Sequence, residues 1–117
     1  MTFQESVSTV LSKYKDFTGR ASRAEFWWFV LFTVIVNFVA SLLDQAVIGI
    51  GLLDTLAALA LLLPSLAVGA RRLHDIDKSG WFMLLALVPV IGWIVLVYFN
   101  VQPSQPTANR FGAPPVA

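Results

Sequence analysis

The 117-residue sequence predicts an all-α, polytopic membrane protein: one membrane domain over residues 1–117, with a short amphipathic interfacial helix, three transmembrane helices and an extended tail. Three observations predict it. The chain is 57% hydrophobic and holds only 8 Lys and Arg and 7 Asp and Glu, about half the charged share of an ordinary soluble domain. Those charges are confined, seven of them to residues 1–25 and five to residues 71–78, with Asp44, Asp54 and Arg110 standing apart. Between them lie uncharged runs of 18 residues (26–43), 16 residues (55–70) and 31 residues (79–109). Runs of this length can cross a hydrocarbon core about 30 Å thick at about 1.5 Å per helical residue, and a soluble fold of this size could not bury them.

The first element, residues 2–18, carries Phe3, Val7, Val10, Leu11, Tyr14 and Phe17 at spacings of three and four, with Gln4, Ser8, Ser12 and Lys15 between them. That pattern gives a helix one apolar face, which serves lipid binding and packing against membrane helices equally well. Thr2 and Glu5 have capping-box spacing, and Gly19 closes the segment. Its many charges and missing apolar h-region predict no cleaved secretory signal.

The first span is expected over residues 23–43. Ser22 and Glu25 form a second capping box, which matters because lipid cannot satisfy the first N–H groups of a helix. Phe26, Trp27, Trp28 and Phe29 place aromatic rings at head-group depth. Asn37 is an amide in mid-span, expected to turn towards another helix, where a hydrogen bond contributes on the order of 1 kcal/mol. The connection Asp44 to Gly51 is short, and Gly49 and Gly51 permit a tight turn, so the first two spans should be antiparallel neighbours.

The second span is expected over residues 52–70, with Asp54 as a possible N-cap and Pro64 kinking the helix by freeing the carbonyl of Ala60. Small residues, among them Ala57, Ala67 and Gly69, let neighbouring backbones approach, and Arg71 and Arg72 end the span where dipole and head groups favour cations. The third run, residues 81–101, is interrupted by Pro89 and Gly92. A kinked full span is the expectation; a re-entrant hairpin turning at Pro89 to Gly92 is the alternative, and it would return the tail to its starting side. Pro103, Pro106, Pro114 and Pro115 keep residues 102–117 extended.

Lys and Arg set the orientation. Four precede the first span, none lies in the first loop and three (Arg71, Arg72, Lys78) lie in the second, which predicts a cytoplasmic N-terminus.

Three motifs organise the polar residues: Gly19-Arg20-Ala21-Ser22-Arg23-Ala24-Glu25-Phe26-Trp27, then Ala70-Arg71-Arg72-Leu73-His74-Asp75-Ile76-Asp77-Lys78-Ser79-Gly80-Trp81, then Asn109-Arg110-Phe111-Gly112. In this order and at these separations the chain resembles the bacterial domain-of-unknown-function family 805. The resemblance covers nearly the whole chain and implies a small integral protein of the bacterial inner membrane; it implies no established activity. This chain has Gln105-Pro106-Thr107-Ala108 where the family's tail often has a Gly-rich step.

Two of the motifs flank spans on one membrane face, so Arg20, Arg23, Glu25, Arg71, Arg72, His74, Asp75, Asp77 and Lys78 should gather as a charged rim. The simplest account is that arginines anchor helix ends on phosphates while the carboxylates cap helices and pair with them. A sharper account is that the rim grips an anionic lipid head group or another membrane protein, since bidentate arginines suit phosphate and carboxylate. No enzyme is expected. With no Cys and one His, the chain cannot build a Cys-based zinc site or a His-rich metal centre, and His74 next to Asp75 does not make a catalytic relay. No cofactor is implied, and a net charge of +1 gives no pull towards nucleic acid. The expected role is therefore an accessory or regulatory membrane subunit; the alternative is a small homo-oligomeric transporter or channel, which would need Asn37 to face its axis.

Overall fold

The computed structural model describes residues 1–115. Four α-helices, α1 (Phe3–Ser12), α2 (Arg23–Val47), α3 (Leu52–Asp75) and α4 (Ile91–Asn100), are joined by turns and by a 3₁₀ segment, Gly80–Leu87. No strand occurs among the described residues.

Helix α1 opens on the expected capping box: Thr2 Oγ1 accepts from the Glu5 amide, and the Glu5 carboxylate accepts from the Thr2 amide. It ends at Ser12 rather than near residue 18, because the Asp16 carboxylate draws the chain into a turn by accepting from the Thr18 amide and hydroxyl at 3.0 and 2.7 Å. One face packs on α2. Phe3 meets the edge of Trp28 at 5.8 Å, and Ser6 donates to the Glu25 carbonyl at 2.6 Å. Leu11, Tyr14 and Phe17 remain exposed, so the segment both packs on the bundle and offers an apolar margin.

Helices α2 and α3, of 25 and 24 residues, are each long and apolar enough to cross a membrane, at about 36 Å or more in length. They are antiparallel. The buried Asp44 joins them by accepting from the Gly51 amide at 2.6 Å and the Leu53 amide at 2.9 Å. Asp44, not Asp54, thus caps α3, since an acceptor in the preceding helix reaches first-turn amides that a residue inside that turn cannot. Both helices run further than the uncharged stretches suggested, α2 to Val47 and α3 to Asp75. Charge does not stop them because the charged residues find partners inside the protein.

The third run is not a continuous span. Its first arm is the 3₁₀ segment and its second arm, α4, has 10 residues, about 15 Å and so half of a hydrocarbon core. The arms fold back on each other: Phe82 meets Phe99 edge-on at 5.9 Å, and the Trp93 indole donates to the Ala86 carbonyl at 2.8 Å. The turn is tight. Pro89 cannot donate to a helix, Val90 adopts φ 66°, and the Ile91 amide closes on the Pro89 carbonyl at 2.8 Å. A hairpin of two short arms thus stands where one continuous, kinked helix was the expectation. Met83 seats the first arm on Gly69, and Gly80 lies against Ala70, where a Cβ would come within 3.1 Å of the Ala70 side chain.

The apolar core, Val10, Ala21, Phe29 and Val68 with Phe26, Phe32 and Leu61 around it, lies among α1, α2 and α3. Away from it, Val34, Phe38, Leu42, Leu56 and Leu59 are exposed, a surface suited to hydrocarbon. Asn37 is half-buried, and its carbonyl oxygen has no hydrogen bond within the described residues. The expected interhelical bond does not form among the described residues, because residues 56–63 of α3 carry no polar side chain to donate it.

Candidate functional site

The hairpin brings the tail back to the end of the molecule where α2 begins and α3 finishes. All three motifs meet there. Arg20, Glu25, Arg71, Arg72, His74 and Asp75 are buried, and they form an internal clasp rather than an open rim.

Asp75, with no exposed surface, is its centre: one carboxylate oxygen accepts from Arg20 Nε at 3.0 Å and the other from Arg72 Nη1 at 2.7 Å. Arg20 spends its remaining donors on carbonyls, those of Thr107 (2.9 Å), Gly112 (3.1 Å), Gln105 (2.7 Å) and Asp75 (3.2 Å). Arg72 does the same, donating to the Asn100 carbonyl at 3.3 Å and to the Gln102 carbonyl. A guanidinium presents five donors in a fixed fork. Arg20 and Arg72 use that fork to hold the tail's irregular backbone, whose carbonyls would otherwise be left without partners.

Glu25 pairs with Arg71 Nη1 at 2.6 Å. Ser22 accepts from the Glu25 amide as expected, but the Glu25 side chain turns to Arg71 instead of closing the capping box, a charge-assisted bond being the stronger. Arg71 Nε and Nη2 are buried without a partner among the described residues. The first motif is further tied to α3 by the Ala21 amide donating to the Arg71 carbonyl at 2.9 Å.

His74 Nδ1 donates to the Gly19 carbonyl at 2.9 Å, and its ring stacks on Phe111, centroids 3.9 Å apart and planes 2° from parallel. Asn109 donates to the His74 carbonyl at 3.0 Å while its own carbonyl oxygen accepts from the Phe111 amide at 2.9 Å. The Asn-Arg-Phe-Gly element is thus the cover of the clasp. Its sequence signature was visible, but the role of the carbonyls of Gln105, Thr107 and Gly112 was not, since backbone acceptors leave no trace in residue type.

The other rim residues stand apart. Arg23 is exposed and donates to the Val101 carbonyl at 3.1 Å; Lys78 is half-buried with its ammonium 5.8 Å from the Phe99 ring centre. Asp77 pairs with Arg110 at 3.1 Å on the surface. The hydrogen bond from Arg110 holds the Asp77 carboxyl below its usual range. A carboxyl lowered on folding stabilises the fold above its unfolded value, and that contribution disappears as pH falls through the lowered one. The amide of Arg110, which donates to Asp77, should therefore stay protected from hydrogen exchange at neutral and mildly acidic pH and lose protection only in strong acid; loss at about pH 6 would contradict this. Among the described residues no group of three or more His, Asp or Glu side chains is placed to hold a metal ion.

The family described as "Protein of unknown function (DUF805)" matches residues 14–113. The inner membrane protein YhaH of Escherichia coli strain K12 is 46% identical over 111 residues, covering 91% of this chain and 92% of the relative. The inner membrane protein YhaI of the same strain is 43% identical over 109 residues, covering 92% of each. No solved structure matches the chain.

Proposed function

The chain belongs to the DUF805 family of proteins of unknown function, and on that premise we propose that it is a non-enzymatic inner-membrane protein, an accessory or regulatory subunit whose cytoplasmic end is a fixed platform for anionic lipid or for other membrane proteins. The observation that carries this reading is the clasp. Arg20 and Arg72 are spent on internal partners, so they serve to rigidify the platform rather than to touch a ligand. The cations left for a head group or a partner's carboxylates are the exposed Lys13, Lys15 and Arg23 and the half-buried Lys78. Lys13 and Lys15 alternate along the N-terminal segment with the exposed Leu11, Tyr14 and Phe17, the combination of apolar margin and positive charge that suits an anionic membrane surface. By the distribution of Lys and Arg this end faces the cytoplasm, together with the tail that the hairpin returns to it.

Purified protein titrated with dioctanoyl phosphatidylglycerol should bind it in preference to the phosphatidylcholine analogue. Replacing Lys13 and Lys15 by Gln should remove about 30-fold of that affinity, at roughly 1 kcal/mol per cation, and leave thermal stability unchanged. A C-terminal reporter fusion should be active in the cytoplasm. Equal affinity for both lipids, together with conduction by a purified homo-oligomer, would overturn the reading in favour of a channel.

A further inference from the structure

Beside the clasp lies a cavity of about 380 Å³, within the size range of small-ligand sites. Its walls are Phe17 from the N-terminal segment and Trp81 and Met83 from the re-entrant arm, and Ala70 of α3 contributes a small side chain to the lining. Trp81 is 78% exposed. Because Trp81 lies three residues after Lys78, the last of the charged block, the cavity is expected at head-group depth, where an amphiphile in the bilayer could enter sideways. Two polar side chains line it, His74 and Ser79.

Their hydrogen-bonding capacity is defined by their neighbours. His74 donates from Nδ1 to the Gly19 carbonyl and its ring is covered by Phe111, so in the neutral ring the lone pair of Nε2 is the remaining acceptor. Ser79 Oγ accepts from the Trp81 amide at 3.3 Å, which leaves its proton free to donate. One acceptor and one donor in an otherwise aromatic and aliphatic pocket are the complement of a hydroxyl group. Among the described residues no charged side chain lines the cavity, so nothing there would compensate an anionic head group.

We propose that this cavity binds a neutral, membrane-borne amphiphile through a hydroxyl group held by His74 Nε2 and Ser79 Oγ, its apolar body lying against Phe17, Trp81 and Met83. The site shares Phe17 with the lysine-bearing surface, but its polar contacts come from His74 and Ser79 rather than from lysines, so it stands or falls independently of anionic-lipid binding. The hydroxyl can come from a phenol or from a glycerolipid such as diacylglycerol, and the pocket's chemistry is shared by both.

The chain holds one His, so isotope-labelled imidazole NMR of the full protein in detergent reads this site alone. Three probes separate the outcomes: para-hexylphenol, its methyl ether and dioctanoylglycerol. At least one hydroxylated probe should saturate and shift the Nε2 signal, and if the phenol does so its methyl ether should bind up to about tenfold more weakly, having lost the donor. A shift with the phenol alone identifies an aromatic ligand, and one with dioctanoylglycerol alone a glycerolipid. Trp81→Leu, which removes an exposed wall and leaves the clasp intact, should weaken binding of whichever probe shifts the signal. An Nε2 signal unmoved by any probe, or equal affinity for phenol and ether, would overturn the proposal.

Discussion

Replacing Asp75 by Ala should destabilise the protein by roughly 3–5 kcal/mol, the range for stripping the counter-charge from a buried ion pair. Asp75 and Arg72 are both fully buried, and Arg20 nearly so. Without the carboxylate, two guanidiniums would face each other in a site that water does not reach. The same loss should free the tail, because Arg20 and Arg72 can hold the carbonyls of residues 102–112 only while Asp75 fixes their orientation. Thermal unfolding in detergent and limited proteolysis beyond Gln102 measure the two effects. Asp77→Ala is the control: its partner Arg110 is exposed, so the midpoint should hardly move. Adding Arg72→Met to Asp75→Ala should recover part of the loss, since much of the cost is a stranded charge rather than a missing attraction. A wild-type melting curve and a protected tail in Asp75→Ala would show that the clasp contributes nothing.

Gly92→Ala should be almost as damaging, by about 3 kcal/mol, for a steric reason. A Cβ at this position would lie 1.8 Å from the Leu85 carbonyl oxygen and 3.0 Å from the Val88 side chain. Backbone cannot withdraw as a flexible side chain can, so the hairpin must open or move. The turn carries a second constraint at Val90, a β-branched residue with φ 66°. Val90→Gly should accordingly stabilise the turn by about 1 kcal/mol, so neighbouring substitutions act in opposite directions. Since the hairpin returns the tail to the clasp, Gly92→Ala should also expose the tail to protease. An unaltered C-terminal reporter signal, midpoint and tail protection together would exclude the close packing at Gly92.

Much of this arrangement was legible in the sequence. The blocks of charge and the three uncharged runs predicted an all-helical membrane protein, and the Thr2–Glu5 spacing predicted the start of α1. The grouping of Arg20, Arg71, Arg72 and Asp75 at one end followed from two motifs flanking antiparallel helices. Helix ends were less legible. The first charged residue is a reasonable stop only if that charge must reach water, and Arg71 and Arg72 do not. Asp54 was the natural candidate to cap α3 by position, yet Asp44, ten residues earlier, does so across the turn.

Composition and periodicity alone determine that this chain belongs in a membrane, because the free energy of placing long apolar runs depends on residue type and hardly on partners. Tertiary structure decided the rest. Whether residues 81–101 cross or return depends on contacts at Gly92, Gly80 and Met83 that no single position displays. Whether the arginines are open to ligands or closed on the protein depends on backbone carbonyls brought from a tail some 85 residues away in sequence. Pairing of that kind is set by the geometry of acceptors rather than by their identity, so it becomes visible only when the chain is folded.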